Sequence, residues 1–452
     1  MSRSIGVVQG CLFLLLCAFG LSSVAQADTS PSEQWIGTWA ASPEAQPNTA
    51  PVANTGGTTF REIVHTSAEG AAVRIVLTNE FGLESLTVSA AQIAISTGRG
   101  AIELSTAKSL SFSGQASVTL PAGTVAVSDP VELRLPPLAD VTVSLFIPAQ
   151  AISQSTVHSY ALQTNYKAAG NAVAARTLPN PVEVSSWYFI KGIEVKTDAE
   201  HPAGAVVTLG DSITDGAASA PNTNGRWPDV LSRRIQADKA LAGMGVLNAG
   251  INGNRLLRDG DGGESALRRL DRDVLTQAGI KYLIVLEGIN DIGHIVSAPP
   301  SDPADTAQNL ILALEQIAVR AHTHGIKVIG ATITPYENCK YASREGEKMR
   351  AAINDWIRTT KSLDGVVDFD KIASRSNRLS ALSPPSPSRS RRFPLITGTG
   401  GDQVSHRAGG YQRHRPHRLS LSQRSRGYGT ELDSRVQNSH ARKRLVCLDA
   451  TG

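Results

Sequence analysis

The spacing of apolar residues divides the chain into two parts with different periods. Between residues 28 and 197, short runs alternate apolar and polar positions, which is the period of a half-buried β-strand. Gly, Pro and polar residues separate most of these runs. Together they predict an antiparallel, jelly-roll-like β-sandwich over residues 28–197. The clearest runs are 73–77, 86–90, 93–95, 102–104, 118–120, 131–135 and 141–147.

From residue 205 the pattern changes, and apolar runs of strand length alternate with stretches at helical spacing. The predicted strands are 205–209, 244–248, 281–286, 326–333 and 364–369. The predicted helices are 226–238, 264–276, 304–324 and 344–361. Such alternation favours right-handed crossovers, and hence a parallel sheet with helices on both faces. We therefore predict an α/β domain over residues 205–372, joined to the sandwich by a linker at 198–204.

The first 27 residues have the composition of a secretory signal peptide. Arg3 supplies a basic start, residues 11–19 are apolar, and Ala25-Gln26-Ala27 offers a small-x-small cleavage site. The apolar stretch is short for a bilayer span. We therefore expect a secreted or periplasmic protein with no stable membrane insertion after cleavage. The alternative is a retained membrane anchor.

Cysteine and aromatic usage narrows the function classes. Two of the four cysteines lie in the signal segment, which leaves Cys339 and Cys447, too few for a disulfide framework. No Cys/His cluster has zinc spacing, so we expect no metal ion and no cofactor. Sugar-binding modules usually present aromatic platforms, whereas here we favour packing roles for the few aromatics of the first part. They are Trp39, Tyr160, Trp187, Tyr188 and Phe189.

Three strand ends of the second part carry residues suited to acyl transfer. The segments are Gly210-Asp211-Ser212, Ile251-Asn252-Gly253-Asn254 and Gly288-Ile289-Asn290-Asp291. In an open α/β sheet such strand ends lie along the edge where ligands bind, and a serine there is well placed as a nucleophile. Each segment also has a structural interpretation, because Asp211 and Ser212 can cap a helix, Gly253 can serve a turn, and Asn290 can cap another helix. The occurrence of all three in order favours the functional interpretation.

These three segments resemble the sequence blocks of the SGNH, or GDSL, hydrolases. The resemblance implies a flavodoxin-like three-layer α/β domain and hydrolysis of carboxylic esters. It assigns the nucleophile to Ser212, and the oxyanion hole to the backbone N–H groups of Ser212 and Gly253 and the side-chain amide of Asn290. The Gly-x-Ser-x-Gly elbow of ordinary α/β-hydrolases is absent from the sequence. Relatives with a similar amino-terminal extension carry Gly-Thr-Trp-Ala-x-Ser, as residues 37–42 do here, and in them this segment packs near the catalytic domain.

The resemblance also implies an Asp-x-x-His pair after the last strand, which supplies the catalytic base. Here Asp402 and His406 are four residues apart, and Ser405 stands at the expected histidine position. The weaker candidate base is His294, which follows Asn290-Asp291. Coincidence and function are equally good interpretations of the altered Asp402–His406 pair.

Residues 373–452 differ in composition from the rest of the chain. From Lys371 onward there are 16 basic and 4 acidic residues, whereas the overall net charge is only +4. The segment is rich in Arg, Ser and Pro and has no helical or strand period, which predicts a disordered basic tail. A shifted reading frame after Ile372 is our hypothesis for this composition. Resequencing the gene tests it, and an unchanged sequence contradicts it.

The sequence therefore predicts a secreted serine esterase that cleaves short acyl or acetyl esters of small molecules or polysaccharides. The alternative is a catalytically impaired relative whose sandwich binds a carbohydrate or cell-wall ligand. A basic tail suits nucleic acids, but for an exported esterase we expect no nucleic-acid partner. The sequence does not indicate an oligomeric state.

Overall fold

A computed structural model describes residues 34–47, 56–197, 204–260, 262–297, 305–337 and 339–374. The predicted signal peptide, the predicted linker up to residue 203 and the predicted tail from residue 375 lie outside the described residues.

The first part of the chain is built from antiparallel strands. Short alternating runs form strands because every second side chain reaches the core. The strands are β1 (Gln34–Ala40), β2 (Glu44–Pro47), β3 (Thr58–His65), β4 (Gly70–Thr78), β5 (Leu86–Val88), β6 (Ala90–Gly98), β7 (Ala101–Ile102), β8 (Lys108–Ser109), β9 (Val118–Leu120), β10 (Val125–Val127), β11 (Val131–Leu135), β12 (Asp140–Ile147), β13 (Gln154–His158), β14 (Asn165–Ala169), β15 (Val182–Val184), β16 (Trp187–Tyr188) and β17 (Ile190–Thr197). A 3₁₀ turn covers Leu104–Thr106.

Two large sheets of these strands enclose one apolar core, as expected for a sandwich. One sheet has the order β1-β17-β4-β10, with β11 also on β4, and the other has the order β15-β14-β3-β12-β6-β7, with β8 on β6. The core between them includes Ile75, Val143 and Ile193, which are fully buried. Trp39 and Trp187 belong to this core and meet edge to face, 5.0 Å between ring centroids. The predicted packing role of these two aromatics is confirmed.

The second part is an α/β domain with a parallel sheet. Its strands are β18 (Ala205–Gly210), β19 (Gly245–Gly250), β20 (Ile280–Leu286), β21 (Lys327–Ala331) and β22 (Gly365–Val367). Their order is β19-β18-β20-β21-β22, and every pair is parallel, as predicted. The helices are α1 (Ser212–Asp215), α2 (Trp227–Ala237), α3 (Ala266–Leu270), α4 (Ile289–Ser297), α5 (Ala307–Thr323) and α6 (Arg344–Thr359), with a π-helical turn at Asp271–Leu275.

Alternate residues of the central strand pack on opposite faces of this sheet. Val207 contacts the core that contains α5 and α6, whereas Val206 lies in the smaller core with Ile235 of α2. Helices therefore cover both faces, and the strand ends between them remain available for a site. Among the described residues, no helix is both long and apolar enough to cross a bilayer.

The two parts meet along β1 and β19. The Gly37 N–H donates to Ala278 O over 2.9 Å, and the Val246 N–H donates to the Ser67 hydroxyl over 2.8 Å. A Cβ atom at Gly245 would lie 1.9 Å from Gly37 O, so the backbones approach too closely for any side chain there. The predicted contact between the segment around Trp39 and the α/β domain is present.

Candidate active site

The three segments singled out in the sequence follow strands that are in register. Gly210, the last residue of β18, lies beside Gly250 at the end of β19 and beside Leu286 at the end of β20. Ser212, Gly253 and Asn290 each follow one of these ends by two to four residues. The fold therefore brings all three segments to the carboxyl edge of the sheet, as predicted.

The turn that carries Ser212 is set by its neighbours. The Asp211 side chain accepts a hydrogen bond from the Ile213 N–H over 2.8 Å and so caps α1, whose first residue is Ser212. Gly216 ends the helix with φ of 106°, a left-handed conformation that favours glycine. At Gly210, a Cβ atom would lie 2.4 Å from Leu286 O. The capping interpretation is thus correct for Asp211, and the same cap presents Ser212 at the strand end.

Gly253 lies in a tight turn after β19. Its φ of +76° is left-handed, and a Cβ on the facing Gly262 would come within 2.3 Å of its carbonyl carbon. The next residue, Asn254, is fully buried and donates through Nδ2 to Gly262 O and Glu264 O over 2.6 and 2.8 Å. This loop is therefore held from within, which fixes the position of the Gly253 backbone.

The third segment is tied to the second by side-chain bonds. Asn290 Nδ2 donates to Asn254 O over 2.8 Å. The Asp291 carboxylate accepts from the N–H groups of Leu256 and Leu257 over 2.8 and 3.2 Å. An amide nitrogen carries two hydrogens, so the bond to Asn254 orients the group with its other N–H as a further donor.

Arg269 links the strand ends, a role that no pattern in the sequence predicted. Its fully buried guanidinium donates to the carbonyls of Gly210 and Ala249 over 3.0 and 2.8 Å. It also donates to Asn254 Oδ1 over 3.0 Å and to the Ser42 hydroxyl over 3.0 Å, and it pairs with Asp273 at 3.1 Å. One side chain thus joins the Ser212 turn, the Gly253 loop and the amino-terminal part.

Three buried carboxyl groups lie behind the site. Burial raises the pKa of Asp211 to about 7 against its backbone bond with Ile213, and Asp291 adds to the increase. Burial likewise raises the pKa of Asp291 to about 6. Glu287 is also buried, and its burial together with the charges of Asp211 and Asp291 holds its pKa well above the usual range. Near neutral pH this cluster therefore holds protons that exposed carboxyl groups would release.

The pH dependence of the protein's stability should reveal the raised pKa of Asp211. Because the folded state binds this proton more tightly than the unfolded chain, Asp211 lowers stability as the pH rises from about 4 through about 7. Asp211→Asn keeps an acceptor for the Ile213 N–H and removes the charge. Melting temperatures measured at about pH 5 and about pH 8 should show a larger gain, or a smaller loss, for this variant at the higher pH. An equal shift at both values would contradict the buried-carboxyl account.

The described residues include one candidate base and not the other. Asp402 and His406 lie outside the described residues. His294 is half-buried on α4, one helical turn after Asn290.

Comparison with known proteins identifies the second part of the chain. Residues 208–390 match the GDSL-like Lipase/Acylhydrolase family. The match begins within β18 and continues beyond the predicted domain end at residue 372. It covers less than half of the chain, so it identifies a domain. No curated protein sequence matches the chain.

Several solved structures resemble a part of the chain. The acetyl xylan esterase AlAXEase is 18% identical, with 39% of this chain and 83% of that chain covered and a TM-score of 0.31. The native M. smegmatis aryl esterase is 15% identical, with 40% and 100% covered and a TM-score of 0.31. The lipase/acylhydrolase from Enterococcus faecalis is 20% identical, with 37% and 77% covered and a TM-score of 0.29. With its GDSL-like lipase/acylhydrolase domain, the chain is a carboxylic ester hydrolase.

Proposed function

We propose that the chain is an exported serine esterase that hydrolyses short acyl or acetyl esters through an acyl-enzyme intermediate. The observation that carries this proposal is the register of β18, β19 and β20, which places Ser212, Gly253 and Asn290 at one edge of the sheet. The Asn290–Asn254 bond supports it further, because it joins two of the three segments directly. Export rests on the composition of residues 1–27.

The proposed reaction has two steps. In acylation, Ser212 Oγ forms a bond to the ester carbonyl carbon while a histidine takes the hydroxyl proton. The tetrahedral oxyanion accepts hydrogen bonds from the N–H groups of Ser212 and Gly253 and from the Asn290 amide. The C–O bond of the alcohol then breaks, and the alcohol leaves with the proton from the histidine. In deacylation, water repeats the sequence and releases the acid.

The base in this proposal is His406, oriented by Asp402. Without a base, Ser212 stays protonated and is a weak nucleophile near neutral pH. The altered spacing leads us to expect weak turnover, and restoring an Asp-x-x-His spacing should increase it.

Trapping the intermediate tests the proposal. Brief incubation with an aryl acetate, acid quenching and peptide mass spectrometry should find one acetyl group on the peptide that contains Ser212. The Ser212→Ala protein, treated identically, should carry none there. Acetylation at another site, or equal labelling of both proteins, would contradict the assignment of the nucleophile.

Asn290→Ala should lower kcat by about 10²–10³-fold, the usual effect of removing one oxyanion donor. KM should change little, because the donor acts mainly on charge that develops in the transition state. Steady-state hydrolysis of an aryl acetate measures both constants. Asn309→Ala is the matched control, since Asn309 is exposed near the start of α5 and bonds locally to Thr306. A large increase in KM with kcat unchanged would assign Asn290 to substrate binding instead.

A further inference from the structure

A buried histidine of the sandwich contacts the helix that begins at Ser212. His158 is the last residue of β13, and its Nε2 lies 3.1 Å from Oδ1 of Asp215, the last residue of α1. The side chains are 4% and 3% exposed, so the pair is shielded from water. Asp215 is three positions from Ser212 on a helix of a single turn. A contact made by the sandwich therefore reaches the proposed nucleophile through one turn of backbone.

His158 is doubly protonated in this arrangement. Its Nδ1 lies 2.9 Å from Ser42 O, a group that only accepts, while Nε2 faces a carboxylate. Both ring nitrogens therefore donate, which only the imidazolium can do. Burial opposes this charge, but Asp215 and then Glu44, 4.0 Å away, raise the pKa of His158 to about 9. With both nitrogens donating, His158 has no lone pair to take a proton from Ser212, so it is not the base.

Ser42 extends the contact to the other side of the nucleophile turn. Its carbonyl accepts from His158, and its hydroxyl accepts from Arg269 over 3.0 Å. Arg269 in turn donates to Gly210 O, two residues before Ser212. The amino-terminal part thus contacts the Ser212 turn at two places. Arg269 makes the contact at the end of β18, and His158 makes the contact at the end of α1.

A third contact involves Arg226, which precedes α2. Its Nε donates to Asp215 O over 2.8 Å, its Nη2 donates to Ala161 O of the sandwich, and its guanidinium lies 5.5 Å from the ring centroid of Trp187. Arg226, Asp215, Trp187 and His158 all line a small cavity of about 40 Å³ between the two parts. Within the described part of the chain, Asp215 Oδ2 is buried without a hydrogen-bond partner, and a cavity of this size has room for ordered water beside it.

We propose that the β-sandwich is a working part of the catalytic centre, in which His158 acts as a positioning residue that holds the Ser212 turn through Asp215. The inference rests on the proposed function in one respect, the role of Ser212 as nucleophile. Small misplacements of a reacting group lower rates by about 100-fold. Loss of the His158–Asp215 bond should therefore lower kcat while leaving KM nearly unchanged, because neither residue is assigned a contact with substrate.

The experiment compares the full chain with His158→Gln, Asp215→Asn and the double variant. We expect each single variant to lower kcat about 10- to 100-fold, and the double variant to be no slower than the slower single one, since each substitution removes one charge of the same ion pair. His322→Gln is the matched control. It removes another histidine–carboxylate pair, His322–Asp364 at 2.8 Å, which is exposed and outside the site, and it should leave kcat unchanged.

Amide hydrogen exchange separates positioning from general destabilisation. Peptides that cover residues 211–217 should exchange at least about 10-fold faster in the His158 and Asp215 variants, while peptides from β20 and β21 exchange as in the parent chain. Asp215→Asn preserves the side-chain volume and serves if His158→Gln folds poorly. Parent-like exchange at 211–217, or multiplicative effects of the two substitutions on kcat, would overturn the inference.

The two proposals fail in different ways. Retention of activity by Ser212→Ala would reject the nucleophile, while exchange at residues 211–217 would still decide whether His158 holds the turn. Parent-like exchange in the His158 variants, with Ser212→Ala inactive, would reject the positioning role alone.

Discussion

Replacing Ser212 with alanine should lower ester hydrolysis by at least about 10³-fold, to the level of the uncatalysed reaction plus residual binding effects. The reason is that no acyl-enzyme can form without the hydroxyl, whatever residue acts as base. The measurement is the initial rate on a short-chain aryl ester, with enzyme freshly purified from an identical preparation. Because Ser212 is only 8% exposed and its side chain is small, we expect the fold to tolerate the change.

Ser219→Ala provides the matched control, because Ser219 lies a few residues along the same loop and its hydroxyl has no assigned role. The base is tested in the same assay by His406→Ala and His294→Ala. Loss of the remaining activity in His406→Ala supports the Asp402–His406 pair despite its altered spacing. Full activity in that variant together with loss in His294→Ala would transfer the role to α4. Turnover by Ser212→Ala at the parent rate would reject the serine mechanism altogether.

The sequence predicts the order and type of most elements of the α/β part because their patterns are local. The predicted strand 205–209 is observed at Ala205–Gly210, and the predicted helix 344–361 at Arg344–Thr359. Both patterns arise from side chains that alternate or repeat across a core, and this information lies within each segment. The convergence of Ser212, Gly253 and Asn290 was predictable for the same reason, since parallel strands share one carboxyl edge.

Local patterns were less informative where packing decides the backbone. The predicted helix 264–276 divides into α3 and a π-helical turn at Asp271–Leu275. Helix α4 was not among the helices predicted from spacing, and Gly293 lowers the helical propensity in its middle. The structure shows why glycine is there. A Cβ atom at this position would lie 2.8 Å from the Tyr341 ring, so the close packing of α4 excludes a side chain.

The residues that support the site were not predictable from spacing. In the sequence, Arg269 is indistinguishable from the other arginines of a helix surface. Its partner Ser42 is 227 positions away. His158 and Asp215 are separated by 57 positions and belong to different parts of the chain. No periodicity or motif relates such pairs, because their contact depends on how the sandwich docks on the sheet. Buried charges that connect distant segments can therefore be identified only from the structure.

Arg269→Met should lower the free energy of unfolding by about 3–5 kcal/mol, the usual effect of removing one partner from a buried charged network. Methionine fills much of the space but cannot donate, so the carbonyls of Gly210 and Ala249 lose their guanidinium partner in the interior. Asp273 retains Arg272, whose Nε lies 2.6 Å from its Oδ1, so this carboxylate stays paired. The nearby carboxyls Asp211 and Glu287 lose a favourable positive charge, and their pKa values should rise further.

Denaturant unfolding of the full chain, followed by tryptophan fluorescence, measures this change. Arg268→Met is the matched control, because the neighbouring side chain is 65% exposed and pairs with Asp259 and Glu264 at the surface. It should lower stability by less than about 1 kcal/mol, as expected for exposed ion pairs. Arg269→Lys should fall between the two, since an ammonium group keeps the charge but cannot span the same acceptors. If Arg269→Met and Arg268→Met unfold at the same denaturant concentration, Arg269 is not the link that joins the strand ends to the sandwich.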